Sequence, residues 1–368
     1  MTDLGQQEAA VLDCISRNPF AGQQELADTL GLARSTVAAH VSALIRKGYI
    51  LGRGYVLPGP RRAVCLGGAV LDRKYRALGE VVAGTSNPVE GHRSFGGVAR
   101  NVAETLAALG VQTSFVTAVG DDEGGRQILD HLQARGVDVS RVQRGAGQAT
   151  AEYAAILDAA GELVLGIADM AIFDTLTPDA LARVWPHLAG ADRVFCDCNL
   201  PAETLAGLIT RARGARFRLA IDAVSTHKVR RLPEVLEGVD LMFLNLDEAG
   251  AVLGARPDSL RAAAAAIVAR GAAQALVSDG PRGIAVADAS GVRLLPAVPA
   301  RPVDITGAGD AMIAGTLYRL FAGDPLSGAA RVGALLGALA TECPGSVIDG
   351  LSATWLADRF DRLPAAAS

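Results

Sequence analysis

Between Gly110 and residue 290, short apolar runs alternate with long alanine-rich stretches, and this rhythm constrains the fold more than any other feature of the chain. The runs at 114–119, 193–198, 218–222, 241–244, 275–278 and 284–287 read as strands, and the stretches between them as helices. Runs without polar alternation bury both faces. The expected fold class is therefore α/β, a three-layer sandwich whose mainly parallel central sheet is covered by helices on both sides. An earlier run, Ala63-Val64-Cys65-Leu66, reads as the first strand, followed by the turn Gly67-Gly68. No Gly-x-Gly-x-x-Gly follows it, and no Gly-x-x-x-x-Gly-Lys-Ser/Thr occurs in the chain. A dinucleotide fold and a P-loop kinase are both disfavoured.

The chemistry concentrates in Val303-Asp304-Ile305-Thr306-Gly307-Ala308-Gly309-Asp310, which precedes a small apolar run, 311–317, that reads as a buried helix. The amides of Gly307, Ala308 and Gly309 then lie at a helix N-terminus. Free N–H groups and the positive end of the helix dipole bind an anion there without any basic side chain. Asp310 falls in the first turn, where a carboxylate can take a proton from an attacking hydroxyl while the amides stabilise a transferring phosphoryl group. Asn245 and Glu248, three apart just past the 241–244 strand, share a helix face. An amide and a carboxylate acting through water suit magnesium, which takes few protein ligands.

The 304–310 string resembles the second signature of the ribokinase-like (PfkB) carbohydrate and nucleoside kinases, and 93–110 resembles the first. The resemblance implies ATP-dependent phosphorylation of a hydroxyl, with Mg2+ and K+. It implies that Asp310 is the base and that Asp72, Gly96, Gly97 and Asn101 meet the substrate. Asn245 and Glu248 would serve magnesium and phosphate, and Ser278, Gly280 and Gly283 the nucleotide. Asp304 would hold potassium, with the backbone of 342–346 completing that site. Lid strands from about 69–95 and 149–170 would cover the substrate and pair two copies as a homodimer. Within the family, four phrases resemble the pseudouridine kinases: 96–104, Ile167-Ala168-Asp169-Met170, Cys196-Asp197-Cys198-Asn199-Leu200 and 222–228. They imply the 5′-hydroxyl of pseudouridine as acceptor, Asn199 at the ribose, Asp169 near the lid and Lys228 on phosphates. Ala223 departs from the family, which usually has proline there. Another nucleoside or a free sugar such as ribose is the alternative substrate. A regulator that only senses a ligand with its kinase-like body is the alternative of a different class.

Residues 1–58 resemble a winged helix-turn-helix: helices over 7–15, 23–30 and 35–47, the last capped by Ser35, then a hairpin over 49–56. Arg34, Ser35, Thr36 and His40 are expected to face DNA bases, and Arg46, Lys47 and Arg53 its phosphates. Residues 1–62 hold seven Lys and Arg against five Asp and Glu, a net of +2, and the remainder carries −6. Residues 59–62 read as a linker and 63–368 as the kinase body. Cys14, Cys65, Cys196, Cys198 and Cys343 follow no disulfide or zinc spacing and are expected to be buried and reduced. The first residues lack a signal-peptide pattern and no stretch is long enough to span a membrane, so the expected location is the cytoplasm.

Overall fold

The computed structural model describes residues 4–19, 21–51, 62–145 and 147–364. Three helices open the chain: α1 (Gln6–Arg17), α2 (Gln23–Leu30) and α3 (Arg34–Arg46). Their apolar faces meet in a small core of Val11, Ile15, Leu26, Val37, Val41, Leu44 and Ile50. The N-cap of α3 is Ala33, not Ser35, because the backbone is already extended at Ala33 (φ −70°, ψ 143°) and turns helical straight afterwards. Most of the expected hairpin, including Arg53, and most of the 59–62 linker lie outside the described residues.

The body then runs β1 (Arg62–Leu66), β2 (Val70–Ala77), β3 (Val89–Gly96), α4 (Val98–Ala108), β4 (Gln112–Val116), β5 (Ala118–Gly120), α5 (Glu123–Ala134), β6 (Gln143–Gly145), β7 (Glu152–Leu157) and β8 (Leu163–Asp169). It continues α6 (Pro178–Ala189), β9 (Arg193–Asp197), α7 (Ala202–Ala212), β10 (Arg218–Asp222), β11 (Leu241–Asn245), α8 (Leu246–Leu253), α9 (Leu260–Ala269), β12 (Ala275–Ser278), β13 (Ile284–Asp288) and β14 (Gly291–Leu295). Helices α10 (Ala308–Ala322), α11 (Leu326–Thr341) and α12 (Ala353–Ala357) close the chain.

The central sheet has the order β14-β13-β12-β11-β10-β9-β1-β4. Every pairing from β4 to β12 is parallel, and β13 and β14 add antiparallel. Alternate residues along each strand feed two separate cores. Val194, Cys196, Leu219, Ile221, Met242 and Leu244 pack with Leu188 of α6, Leu208 of α7 and Ile267 of α9. Phe195, Ala220, Leu241, Phe243 and Leu276 pack with Leu106 of α4 and with Ile313 and Leu317 of α10. Both faces are dry, which is why the strands read as unbroken apolar runs. The expected 114–119 strand is two strands, β4 and β5, broken at Thr117 where β5 leaves to pair with β6. Sequence reasoning missed β14, an edge strand that is half solvated and carries Gly and Arg.

A second sheet, β3-β2-β7-β8, forms the lid. Its outer strand β8 is solvent-exposed along its whole length. The front helices rest on the body beside α6. Gly48 sits at φ +78°, and a Cβ there would lie 1.6 Å from the Ala189 carbonyl oxygen, so only glycine permits this approach. The Arg216 guanidinium lies 5.4 Å from the Tyr49 ring centroid on the same seam. Cys65, Cys196 and Cys198 are buried, whereas Cys14 and Cys343 are only partly so, because each lies on the solvent flank of a helix or its end. Among the described residues no helix is long and apolar enough to cross a membrane.

Candidate active site

The C-terminal ends of the parallel strands and the N-termini of α4 and α10 converge on one cleft edge. Gly307, in the left-handed region at φ +78°, turns the chain into α10. A Cβ there would lie 2.3 Å from the Ser346 carbonyl oxygen, so glycine both supplies the turn and admits the neighbouring loop. The Ala308 amide bonds weakly to the Ile305 carbonyl at 3.3 Å. Among the described residues no acceptor meets the amides of Gly307, Gly309 and Asp310. The free donors at this helix start are therefore these three, and Ala308 is partly committed, a shift of one residue from the expected set. Side-chain space beside Gly309 is open.

Asp310 lies in the first turn of α10, and Asn101 of α4 donates from Nδ2 to its carboxylate at 2.5 Å. Burial pushes the Asp310 carboxyl up to about 6, and the Asn101 bond and the Arg100 charge oppose that rise. Asp72, on β2, is also pushed up to about 6 by burial. It faces the end of β3, where a Cβ on Gly96 would lie 2.0 Å from its carboxylate. Gly97 is the N-cap of α4 at φ +97°. Asp72, Gly96, Gly97, Asn101 and Asp310 thus come together.

Asn199 is buried, and its side-chain oxygen accepts from Lys228 Nζ. The structure engages Lys228, expected on phosphates, with Asn199. Asp169 ends the lid strand β8, is exposed, and accepts from the Ala171 amide at 3.4 Å.

Asn245 and Glu248 form a reciprocal capping box at the start of α8: the Asn245 amide donates to the Glu248 carboxylate at 2.8 Å, and the Glu248 amide to Asn245 Oδ1 at 2.8 Å. Burial raises both the Glu248 and the Asp222 carboxyls, and Glu248 adds to the rise of Asp222. Glu248 and Asp222 are two desolvated acids that interact, and with Asn245 they offer the hard oxygen type that magnesium takes, few protein ligands with the rest water. Asp304 accepts from the amides of Thr306 at 2.9 Å and Gly345 at 3.3 Å, with Lys74 Nζ at 4.0 Å. Its oxygens keep spare lone pairs between two backbone loops, which fits a monovalent cation. Ser278 ends β12, and Gly280 (φ +51°) and Gly283 (φ +98°) shape the turn that follows.

Two functional groups escaped sequence reasoning. Asp197, fully buried at the end of β9, accepts from the amides of Gly68, Ala99 and Asn199, each at 3.0 Å. It ties the first turn, α4 and β9 into one frame. An acid ending an apolar strand was the available signal. Arg100 is 2% exposed, and nothing in the sequence around it distinguishes it from a surface helix arginine.

In the front unit, α3 exposes Arg34, Ser35, Ala39, Ser42 and Arg46, and Thr36 is half-buried. His40 instead meets Gln7 at 3.2 Å, and Lys47 pairs with Glu8 at 2.8 Å, so both engage α1. Ser35, Ser42 and Arg46 form an exposed stripe along α3.

The pfkB family carbohydrate kinase model matches residues 61–353, and a winged helix-turn-helix DNA-binding model matches residues 7–50. An uncharacterized sugar kinase, YeiI, of Escherichia coli (strain K12) is 32% identical over 332 residues, covering 89% of this chain and 91% of that protein. The pseudouridine kinase of the same organism is 31% identical, covering 70% of this chain and 83% of that protein. Among solved structures, a carbohydrate kinase from Agrobacterium tumefaciens superposes with a TM-score of 0.73 at 28% identity, covering 83% of this chain and 98% of that one.

Proposed function

The chain belongs to the pfkB family of carbohydrate kinases, with a winged helix-turn-helix in front, and within that family we propose that it phosphorylates the 5′-hydroxyl of pseudouridine. Kinases of this family use ATP, generally with Mg2+. The observation that carries the reading is Asp310, raised to about 6 and held by Asn101 beside three unbonded helix amides. In the proposed step the 5′-hydroxyl gives its proton to Asp310. The oxygen bonds the γ-phosphorus, the bond to the bridging β–γ oxygen breaks, and ADP leaves. The free amides of Gly307, Gly309 and Asp310 offset charge on the transferring group. Asp72 and Asn101 orient the ribose hydroxyls, and Asn199, held by Lys228, meets the ribose from the first glycine turn. Asn245 and Glu248 would hold magnesium, and Asp304 a potassium ion. Those ions would screen phosphate charge.

The pseudouridine assignment rests on the likeness to the Escherichia coli pseudouridine kinase and on Asn199 lying beside the first glycine turn: a Cβ on Gly68 would lie 2.7 Å from its Nδ2. A coupled assay of ATP consumption across pseudouridine, uridine, inosine, ribose and fructose tests it. Pseudouridine is the expected substrate; preference for a free sugar would replace it. Asp310→Asn should cut turnover by about a hundredfold or more with the fold intact. For the front unit, the exposed stripe on α3 is the proposed DNA face. Arg34→Ala with Arg46→Ala should weaken binding to DNA from upstream of the gene and flatten its salt dependence, read by fluorescence polarisation.

A further inference from the structure

The first turn of α4 carries a buried cation that the proposed reaction does not use. Arg100 is 2% exposed, yet its guanidinium has acceptors on three separate segments. Nε donates to the Gly96 carbonyl at 3.2 Å and Nη2 to the Phe95 carbonyl at 2.8 Å, both at the end of lid strand β3. Nη1 donates to Glu104 at 2.5 Å, and Nη2 also reaches Ser346 Oγ at 3.2 Å in the last loop. Nη2 donates as well to Oδ1 of Asn101.

The last of these bonds has a chemical consequence. A guanidinium only donates, so the Asn101 oxygen must face Arg100. The Asn101 NH2 must then face the other way, and it donates to Asp310. Without Arg100 the Asn101 oxygen keeps only the longer bond from Ser346 Oγ at 3.3 Å, so the amide is far less firmly held against a flip that would set its oxygen against the carboxylate. We propose that Arg100 is the positioning residue of this site: it fixes the Asn101 amide so that Asp310 is held as the ionised base, and it pins the lid-strand end to the Ser346 loop. This inference rests on Asp310 acting as the base.

The surroundings agree in sign. Arg100 is the cation that lowers Asp310, whereas burial, Asp197 at the end of β9 and Asp72 on β2 raise it. Asp310 in turn raises the carboxyl of Asp222, at the end of β10, which burial already pushes toward its neutral form. Arg100 is itself balanced by Glu104, which His131 of α5 meets at 3.0 Å and Arg135 at 3.7 Å. Removing Glu104 therefore leaves Arg100 less neutralised. The two partners must act on Asp310 in opposite directions.

The test is kcat/KM against pH for wild type, Arg100→Lys, Arg100→Met and Glu104→Gln, with ATP and pseudouridine, or the sugar or nucleoside the substrate assay identifies. The wild-type acid limb should lie near 6. In Arg100→Met the limb should move up by about one unit and kcat should fall roughly tenfold or more, while KM for ATP changes less than about twofold. Arg100→Lys keeps the charge but not the fork, so kcat should fall while the limb moves less. Glu104→Gln should move the limb down. Movement of the Arg100→Lys and Glu104→Gln limbs in the same direction, or of neither, overturns the inference even where Arg100→Met fails to fold. Asp310→Asn separates the two readings: if it is inactive while the limbs stay put, only the role of Arg100 falls, and if it is active, the assignment of the base falls and takes this role with it.

Discussion

In the central sheet Phe195, Leu219, Met242 and Phe243 are at most 2% exposed, whereas in lid strand β8 Leu163, Val164, Leu165 and Ile167 are all at least 50% exposed. Both regions are made of the same residue classes. The central strands lie between two helical layers, so every side chain finds a packed neighbour. The lid has no such layers, and its outer strand presents apolar side chains on both faces and an open backbone edge. An exposed apolar edge of that kind calls for a cover, and a second copy of the lid is the proposed one. The contrast teaches that one sheet is closed by its own helical layers, whereas the other leaves an apolar edge open on the surface of the chain.

Truncation should separate the two sheets most strongly. Phe243→Ala, in the central core, should cost about 3–5 kcal/mol in denaturant unfolding, whereas Leu165→Ala, measured at dilution where the chain is a monomer, should stay within about 0.5 kcal/mol. Similar losses at both positions would mean that β8 is packed in solution far more tightly than in the isolated chain. The second effect is on assembly. Leu165→Lys with Ile167→Lys should shift sedimentation from dimer to monomer and raise KM for the acceptor, with little change in thermal midpoint. A double variant that sediments like wild type would remove the lid from the interface.

The smallest effect is a pH dependence that belongs to the central sheet alone. His187 of α6 meets Ser114 of β4 at 2.7 Å, and burial pushes its pKa down to about 4. The neutral form is favoured on folding, so this stability is fully present above the ordinary histidine range near 6.5 and is lost as pH falls toward 4. After allowance for its partial exposure, the loss should be about 1 kcal/mol by about pH 5.5. His187→Gln should flatten that slope in thermal melts, while the lid double variant should leave it unchanged. A slope that persists in His187→Gln assigns the titration elsewhere.

Local pattern carried much of the fold. Unbroken apolar runs marked the parallel strands because burial on both faces removes polar residues from both. The Gly307–Asp310 turn was legible because the whole string from Asp304 to Asp310 resembles a family signature, which an isolated Gly-x-Gly-Asp would not have done. The front helices were legible from their 3.6-residue stripes, although the cap of α3 was not, since cap geometry depends on how the chain leaves the preceding turn. Strand β14 was missed because a half-solvated edge leaves no periodic mark.

The sequence by itself determined most strands of the central sheet, the small-residue helix start at 307–310 and the candidate base, all of which are read from neighbours along the chain. Tertiary structure decided which distant groups meet. Asn101 and Asp310 are 209 residues apart, Asp197 gathers amides from as far as 129 residues away, and Lys228 reaches Asn199 across 29. Lys47 and His40 turned to α1 and Arg100 turned inward for the same reason. A polar side chain takes the partner that its burial demands, and only the packed fold says which partner is within reach.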